Sequence, residues 1–287
     1  HGLHSHDAPD EAIALLEFCL ELYPDSAAAR EALEEAHAYK DMHDGSPREA
    51  SAEPLTVWYL GHSGFAVRVG EKLLVFDYWS SGGTPSSDPE AGGLTDGIIE
   101  AADLEGLEVY VFVSHSHSDH YDPTILEWES DVDNITYFFG WDAGDNPEHH
   151  YFVEPRATAE VDGIEVYTIY SHHSGVAEVA YLVHVDDRWI YHNGDYLQDY
   201  IPDFQYLESL TDHLDLVFTG GSHDERWQYT HQVQYLLEHF HPEVLFPMHY
   251  GDEEEKGDEF ARVMKERGYE TVIPVPRARG DRWVIER

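Results

Sequence analysis

Val113-Ser114-His115-Ser116-His117-Ser118-Asp119-His120 is the stretch that decides how this chain is read. An apolar run, Val109-Tyr110-Val111-Phe112-Val113, leads into it. Tyr121-Asp122-Pro123 follows, where Asp122 can cap a short helix through Trp128. The pattern His-x-His-x-Asp-His therefore sits on a tight loop at the end of a buried strand, where a rigid sheet presents chemistry. Imidazole and carboxylate suit zinc and similar divalent ions. Three imidazoles and one carboxylate on a single loop do not converge easily on one tetrahedral ion. Alternate residues point to opposite sides, so the loop can feed two adjacent cations, His115 and His117 serving one, Asp119 and His120 the other. A plain polar surface loop is the competing reading, but it gives no reason for three histidines and an aspartate directly after a buried strand.

This signature resembles the metallo-β-lactamase-fold hydrolase superfamily. The resemblance implies an α/β fold, a four-layer αββα sandwich of two mixed β-sheets with a one- or two-metal site at one edge. It also implies where further ligands fall. Tyr170-Ser171-His172-His173-Ser174-Gly175 precedes a strand through Tyr181-Leu182-Val183. Either histidine could complete the first site, and His173 is favoured because a small hydroxyl residue follows it. Ile190-Tyr191-His192-Asn193-Gly194-Asp195 ends a strand in Gly-Asp, similar to the family's bridging aspartate. Val244-Leu245-Phe246-Pro247-Met248-His249-Tyr250-Gly251 ends another in Pro-x-His-Tyr-Gly, and His249 matches the last ligand of the second site. The implied set is His115, His117 and His173 for one ion and Asp119, His120 and His249 for the other, with Asp195 shared. Zinc is the expected metal, with manganese or iron as alternatives. The implied chemistry is hydrolysis by a metal-bridged hydroxide that Asp119 orients.

Leu60-Gly61-His62-Ser63-Gly64-Phe65 is similar to the first hairpin of the ascorbate-phosphate-lactonase-like branch, as is the Pro-x-His-Tyr-Gly segment. Thr219-Gly220-Gly221-Ser222-His223-Asp224 also fits that branch. His62 and His223 are therefore candidate substrate contacts. Arg68, Arg156, Arg226 and Arg277 are the cations available to grip an anionic substrate, and none lies on a motif.

The chain has 287 residues, 42% of them hydrophobic, enough for one large domain and a small appendage. Asp and Glu number 58 against 16 Lys and Arg, a formal net charge of -42. Such a field repels long nucleic acid and anionic membrane at ordinary salt. It suits either a protein working in concentrated salt or a generally acidic one. Cys19 is the one cysteine, so no internal disulfide forms. No apolar run is long enough to span a membrane and no signal peptide is visible, so a cytoplasmic location is expected, a processed secreted or periplasmic form being the other reading. The chain starts at His1, and His1, His4 and His6 read as a tag remnant or tail.

Residues 11–22 place Ile13, Leu16 and Leu20 at helical spacing, and a second helix is expected over 27–39. The pair resembles part of a tetratricopeptide repeat. The expected organisation is a helical hairpin over 1–46, a linker over 47–54 and the catalytic domain over 55–287. One helical pair cannot bury its own apolar face, so it should dock on the domain or join two chains into a homo-oligomer. Strands are expected at 56–60, 65–69, 73–77, 135–139, 164–169, 179–185, 189–192, 214–218, 244–246 and 271–273, with helices at 227–240 and 260–267. The leading function is a metal-dependent hydrolase for a small ester, lactone or phosphoester. The alternatives are a phosphodiesterase or nuclease of the same fold, and a binding protein with a relic site.

Overall fold

The computed structural model describes residues 53–196, 200–220, 228–250 and 254–286, together with Leu20, Ser26, Arg30 and Leu33. The chain divides into two compact units, residues 1–50 and 51–287. Leu20, Arg30 and Leu33 are helical; the rest of the expected N-terminal hairpin lies outside the described residues.

In the second unit, period-two alternation of apolar residues builds two sheets. The first has seven strands: β1 (Leu55–Gly61), β2 (Gly64–Val69), β3 (Lys72–Phe76), β4 (Glu108–Val113), β5 (Ile135–Phe139), β6 (His150–Tyr151) and β13 (Arg282–Ile285), in the order β13-β1-β2-β3-β4-β5-β6. Pairing is antiparallel from β13 to β3 and parallel from β3 to β6. The second has six: β7 (Thr158–Val161), β8 (Ile164–His173), β9 (Val176–Val185), β10 (Arg188–His192), β11 (Leu216–Gly220) and β12 (Val244–Met248), in the order β12-β11-β10-β9-β8-β7. Here β7 to β10 are antiparallel and β10 to β12 parallel. Parallel neighbours need crossovers. Helix Ile201–Glu208 lies between β10 and β11 in the chain, and helix Gln228–His239 between β11 and β12.

The alternation places one face of each sheet against the other. Val67, Leu74, Phe76 and Phe112 share a buried cluster with Tyr181, Val183, Phe218 and Phe246. The rings of Phe65 and Phe218 meet across the layers at 4.3 Å. Each such burial stabilises by roughly 1.5–3 kcal/mol relative to exposure. On the outer face of the first sheet, Leu73, Val75 and Val111 pack with Leu104, Ile125 and Trp128. Ile125 and Trp128 lie on the 3-10 segment Pro123–Ser130, whose first turn Asp122 caps by accepting from Thr124 N. On the outer face of the second sheet, Leu182, Val217 and Leu245 pack with Phe204, Val233, Leu236, Phe260 and Met264 of the helices. The result is the four-layer α/β sandwich with two mixed sheets.

Two expectations change. Residues 271–273 form no strand; Val272 makes a single parallel bridge to Val244, and Pro274 and Pro276, which cannot donate, stop the ladder. The last helix is Glu254–Glu266, starting earlier than residue 260 because its first turn is acidic and carries no apolar signal. Strands β7 and β13 lie at sheet edges with half their residues exposed, so their alternation is weak in sequence.

Candidate metal centre

Five chain segments meet at one edge of the sandwich: the β1–β2 turn, the loops after β4, β10 and β12, and the end of β8. The loop after β4 is tight because His120 N and Tyr121 N both donate to His117 O, at 3.0 and 2.9 Å. From that turn His115 and His117 group with His173, and Asp119 and His120 with His249, while His115 and His120 also meet at Asp195 with ring centroids 4.2 Å apart. At the end of β8, His172 is exposed and beside the Tyr170 hydroxyl at 3.3 Å. His173, one residue on in the strand, faces the opposite way and joins His115 and His117. The ligand-capable atoms of these three lie within 4.8 Å of one another, and their ring centroids are 4.6, 5.2 and 5.4 Å apart.

A second group gathers Asp119, His120, His249 and His62, again within 4.8 Å. His120 is fully buried. His249 follows β12 with φ 62 and His62 sits in the β1–β2 turn with φ 54, both left-handed values that cost a non-glycine residue on the order of 1–2 kcal/mol. Strain of this kind concentrates at functional sites.

Asp195 stands between the groups. Its Oδ2 is 3.3 Å from His173 Nε2, and its Oδ1 is 3.2 Å from His249 Nε2 and 3.4 Å from His120 Nε2. Gly194 makes this possible. Its φ is 55, and a Cβ there would stand 2.8 Å from Ser114 Cβ and 3.2 Å from Glu178 Oε1.

Two buried carboxylates that the sequence reading passed over hold the framework. Asp77, just after β3, accepts from Ser114 N and Ser114 Oγ, each at 2.7 Å, and pairs with His120 Nδ1 at 2.7 Å. Glu178, in β9, accepts from Asp195 N at 2.6 Å and Ser171 Oγ at 2.8 Å. The available signals were an apolar strand running straight into an aspartate and a lone glutamate inside an apolar strand. His192 is also spent structurally: its Nε2 donates to Ser63 O at 2.9 Å and its Nδ1 accepts from Gly194 N at 3.2 Å.

The electrostatics follow from this packing. Burial, then the neighbouring His120, pushes His115 down to about 3, so its imidazole is neutral and ready to donate a lone pair. Burial also lowers His120, but the Asp77 carboxylate outweighs it and lifts the group to about 9. Asp77 itself is held low, because His120 overcomes the burial that would raise it. Asp195 and Asp119 are both depressed: burial works against this at Asp195, where His249 and His120 prevail, and His62 is the main cause at Asp119. Burial, reinforced by the charge of Asp195, pushes Glu178 up to about 8.

His223 and Arg226 lie outside the described residues. Arg68 donates to Gly70 O, Arg156 to Pro202 O, and Arg277 grips Asp258, so each has a local partner. A third acidic group, His213, Asp215 and Glu243, is already served by a cation, since Arg188 donates to Asp215 at 2.9 Å.

The donor set fits divalent metals. Ring nitrogens and carboxylate oxygens converge, which is the ligand chemistry of zinc and its neighbours. His120 Nε2 and Asp195 Oδ1 are buried with no hydrogen-bond partner, a costly arrangement unless something else satisfies them.

Comparison with known proteins bears on the fold and the family. A metallo hydrolase, Igni18, from the hyperthermophilic archaeon Ignicoccus hospitalis superposes with TM-score 0.59 at 20% identity, covering 82% of this chain and 99% of that one. CmlA, a diiron β-hydroxylase from Streptomyces venezuelae, superposes with TM-score 0.56 at 12% identity, covering 95% of this chain and 59% of that one. Identities this low bear on the fold alone. No curated protein matches the chain. Residues 56–249, which contain every candidate ligand, match the β-lactamase superfamily domain, and the chain belongs to that family.

Proposed function

We propose that this protein is a binuclear metal-dependent hydrolase of a small ester, lactone or phosphoester. The observation that carries the reading is Asp195, a single carboxylate with one oxygen turned to each donor group. A shared carboxylate is what holds two dications at the spacing of about 3.5–4 Å used by two-metal hydrolases. His115, His117 and His173 would hold one cation, and Asp119, His120 and His249 the other. Bound there, the cations would act as Lewis acids and lower the pKa of a bound water towards about 7. Zinc is the proposed metal, with manganese or iron as the alternatives.

The chain's own groups supply the rest. Asp119 is half-exposed at the mouth of the site and its carboxyl is kept ionised, so its Oδ2 can accept a hydrogen bond from a bound water and orient it. Asp77 fixes His120 as the Nδ1–H tautomer, leaving Nε2 as the donor. Glu178 fixes the backbone that aims Asp195. The Leu60–Phe65 and Pro247–Gly251 segments support a lactonase-like substrate. The charge of -42 weighs against long nucleic acid and supports work in concentrated salt.

A panel of lactones, phosphodiesters, phosphonate esters and β-lactams, run with zinc and with manganese at low and high salt, tests the reading. At least one small ester, lactone or phosphoester should turn over, and Asp119→Asn should remove most of that turnover while the metal stays bound. Metal-independent turnover, or none across the panel, contradicts it.

A further inference from the structure

We infer that His62 is a further ligand of the second cation, through Nε2, and completes a second set of three imidazoles. This rests on the metallohydrolase reading and adds to it a donor on a different part of the chain.

His62, His120 and His249 have ring centroids 4.3, 5.4 and 5.6 Å apart, close to the 4.6, 5.2 and 5.4 Å of His115, His117 and His173. Each set of three thus has the dimensions of the other. The His62 side chain is 12% exposed, and its Nε2 has no hydrogen-bond partner although Asp119 Oδ2 is 3.4 Å away. Nε2 is thus turned toward the same point as Asp119 Oδ2, His120 and His249, the position from which an ion would be held. Donors about 2.1 Å from an ion lie at most about 4.2 Å apart, so a group spanning 4.8 Å needs only a small closure.

The turn is built to hold this ring. Gly61, at φ 107, lies so close to the following loop that a Cβ would stand 2.2 Å from Gly82 O. His62 O accepts from His249 N at 3.5 Å, and Ser63 O accepts from His192 Nε2 at 2.9 Å. Trp79 meets the His62 ring edge-on at 5.7 Å. The hairpin turn of the first sheet is thus tied to the strand ends of the second that carry His249 and Asp195.

The second cation would then have five protein donors, counting shared Asp195, against four for the first. Open positions would concentrate on the first cation, and substrate would approach from the His117 and His173 side.

The test is chelator competition on wild type and His62→Ala, with an anomalous difference map of zinc-loaded wild type. We expect His62 Nε2 at about 2.1 Å from the second zinc, and a loss of at least tenfold in second-cation affinity in His62→Ala with the first site unchanged. Two zincs bound with His62 more than about 3 Å from either overturns the inference alone, and so does unchanged affinity in a folded His62→Ala. If His62→Ala does not fold, the wild-type map decides. A wild type that binds no cation overturns the metallohydrolase reading and this inference together.

Discussion

The two halves of the centre use the same side chains on different backbones. His115 and His117 stand on the loop after β4 and His173 at the end of β8, and His115 is neutral because it is buried. The other half draws its imidazoles from a hairpin turn and a strand exit at positive φ, and its His120 is bound to a buried carboxylate. A strand end and the bridge of His115 to Glu178 position the first half. Strain and a charge pair position the second, so its affinity should respond more to pH and to changes away from the ion.

Asp195 belongs to both halves, and its loss should do the most damage. Asp195→Ala should weaken both cations by more than the roughly 10–100-fold that losing an outer partner costs, measured by chelator competition. If only one cation weakens, the carboxylate does not bridge. Asp77→Asn removes the charge on His120 and keeps the size. The second cation should fall by about 10–100-fold in affinity and the first by less. Equal losses would mean that Asp77 acts by holding the loop through Ser114, not through His120.

A smaller difference should appear with pH. A cation binds neutral imidazole, so a protonated ligand must first give up its proton. In the metal-free protein His120 holds its proton up to about 9, whereas His115 is neutral down to about 3. Between pH 6 and 9 the affinity of the second half should therefore rise by about tenfold per unit, and the contribution of His115 to the first half should stay flat. Titration calorimetry in buffers of different ionisation enthalpy would count the released proton. Parallel slopes for both cations would remove the proposed distinction.

The same contrast explains what the sequence showed. His115, His117, Asp119, His120, Asp195 and His249 each follow an apolar strand, so a strand pattern that ends in a polar cluster exposes them. His173 could be named only as one of two neighbours, because strand alternation, which separates it from exposed His172, depends on where β8 ends. That strand runs to residue 173, four residues beyond the apolar pattern. Asp77 and Glu178 were missed because their role is set by partners far along the chain, 43 residues away in the case of His120 and 17 in that of Asp195 N. The sheet interiors were legible from alternation. The edge strands β7 and β13 were not, since half their residues face solvent and pairing is completed by the neighbouring strand.

The most direct test of the account is the metal content of the purified, reconstituted wild-type chain, read by elemental analysis together with anomalous diffraction. Two transition-metal ions per chain, about 3.5–4 Å apart and on either side of Asp195, are predicted. One ion, none, or two that do not share Asp195 would contradict the binuclear centre.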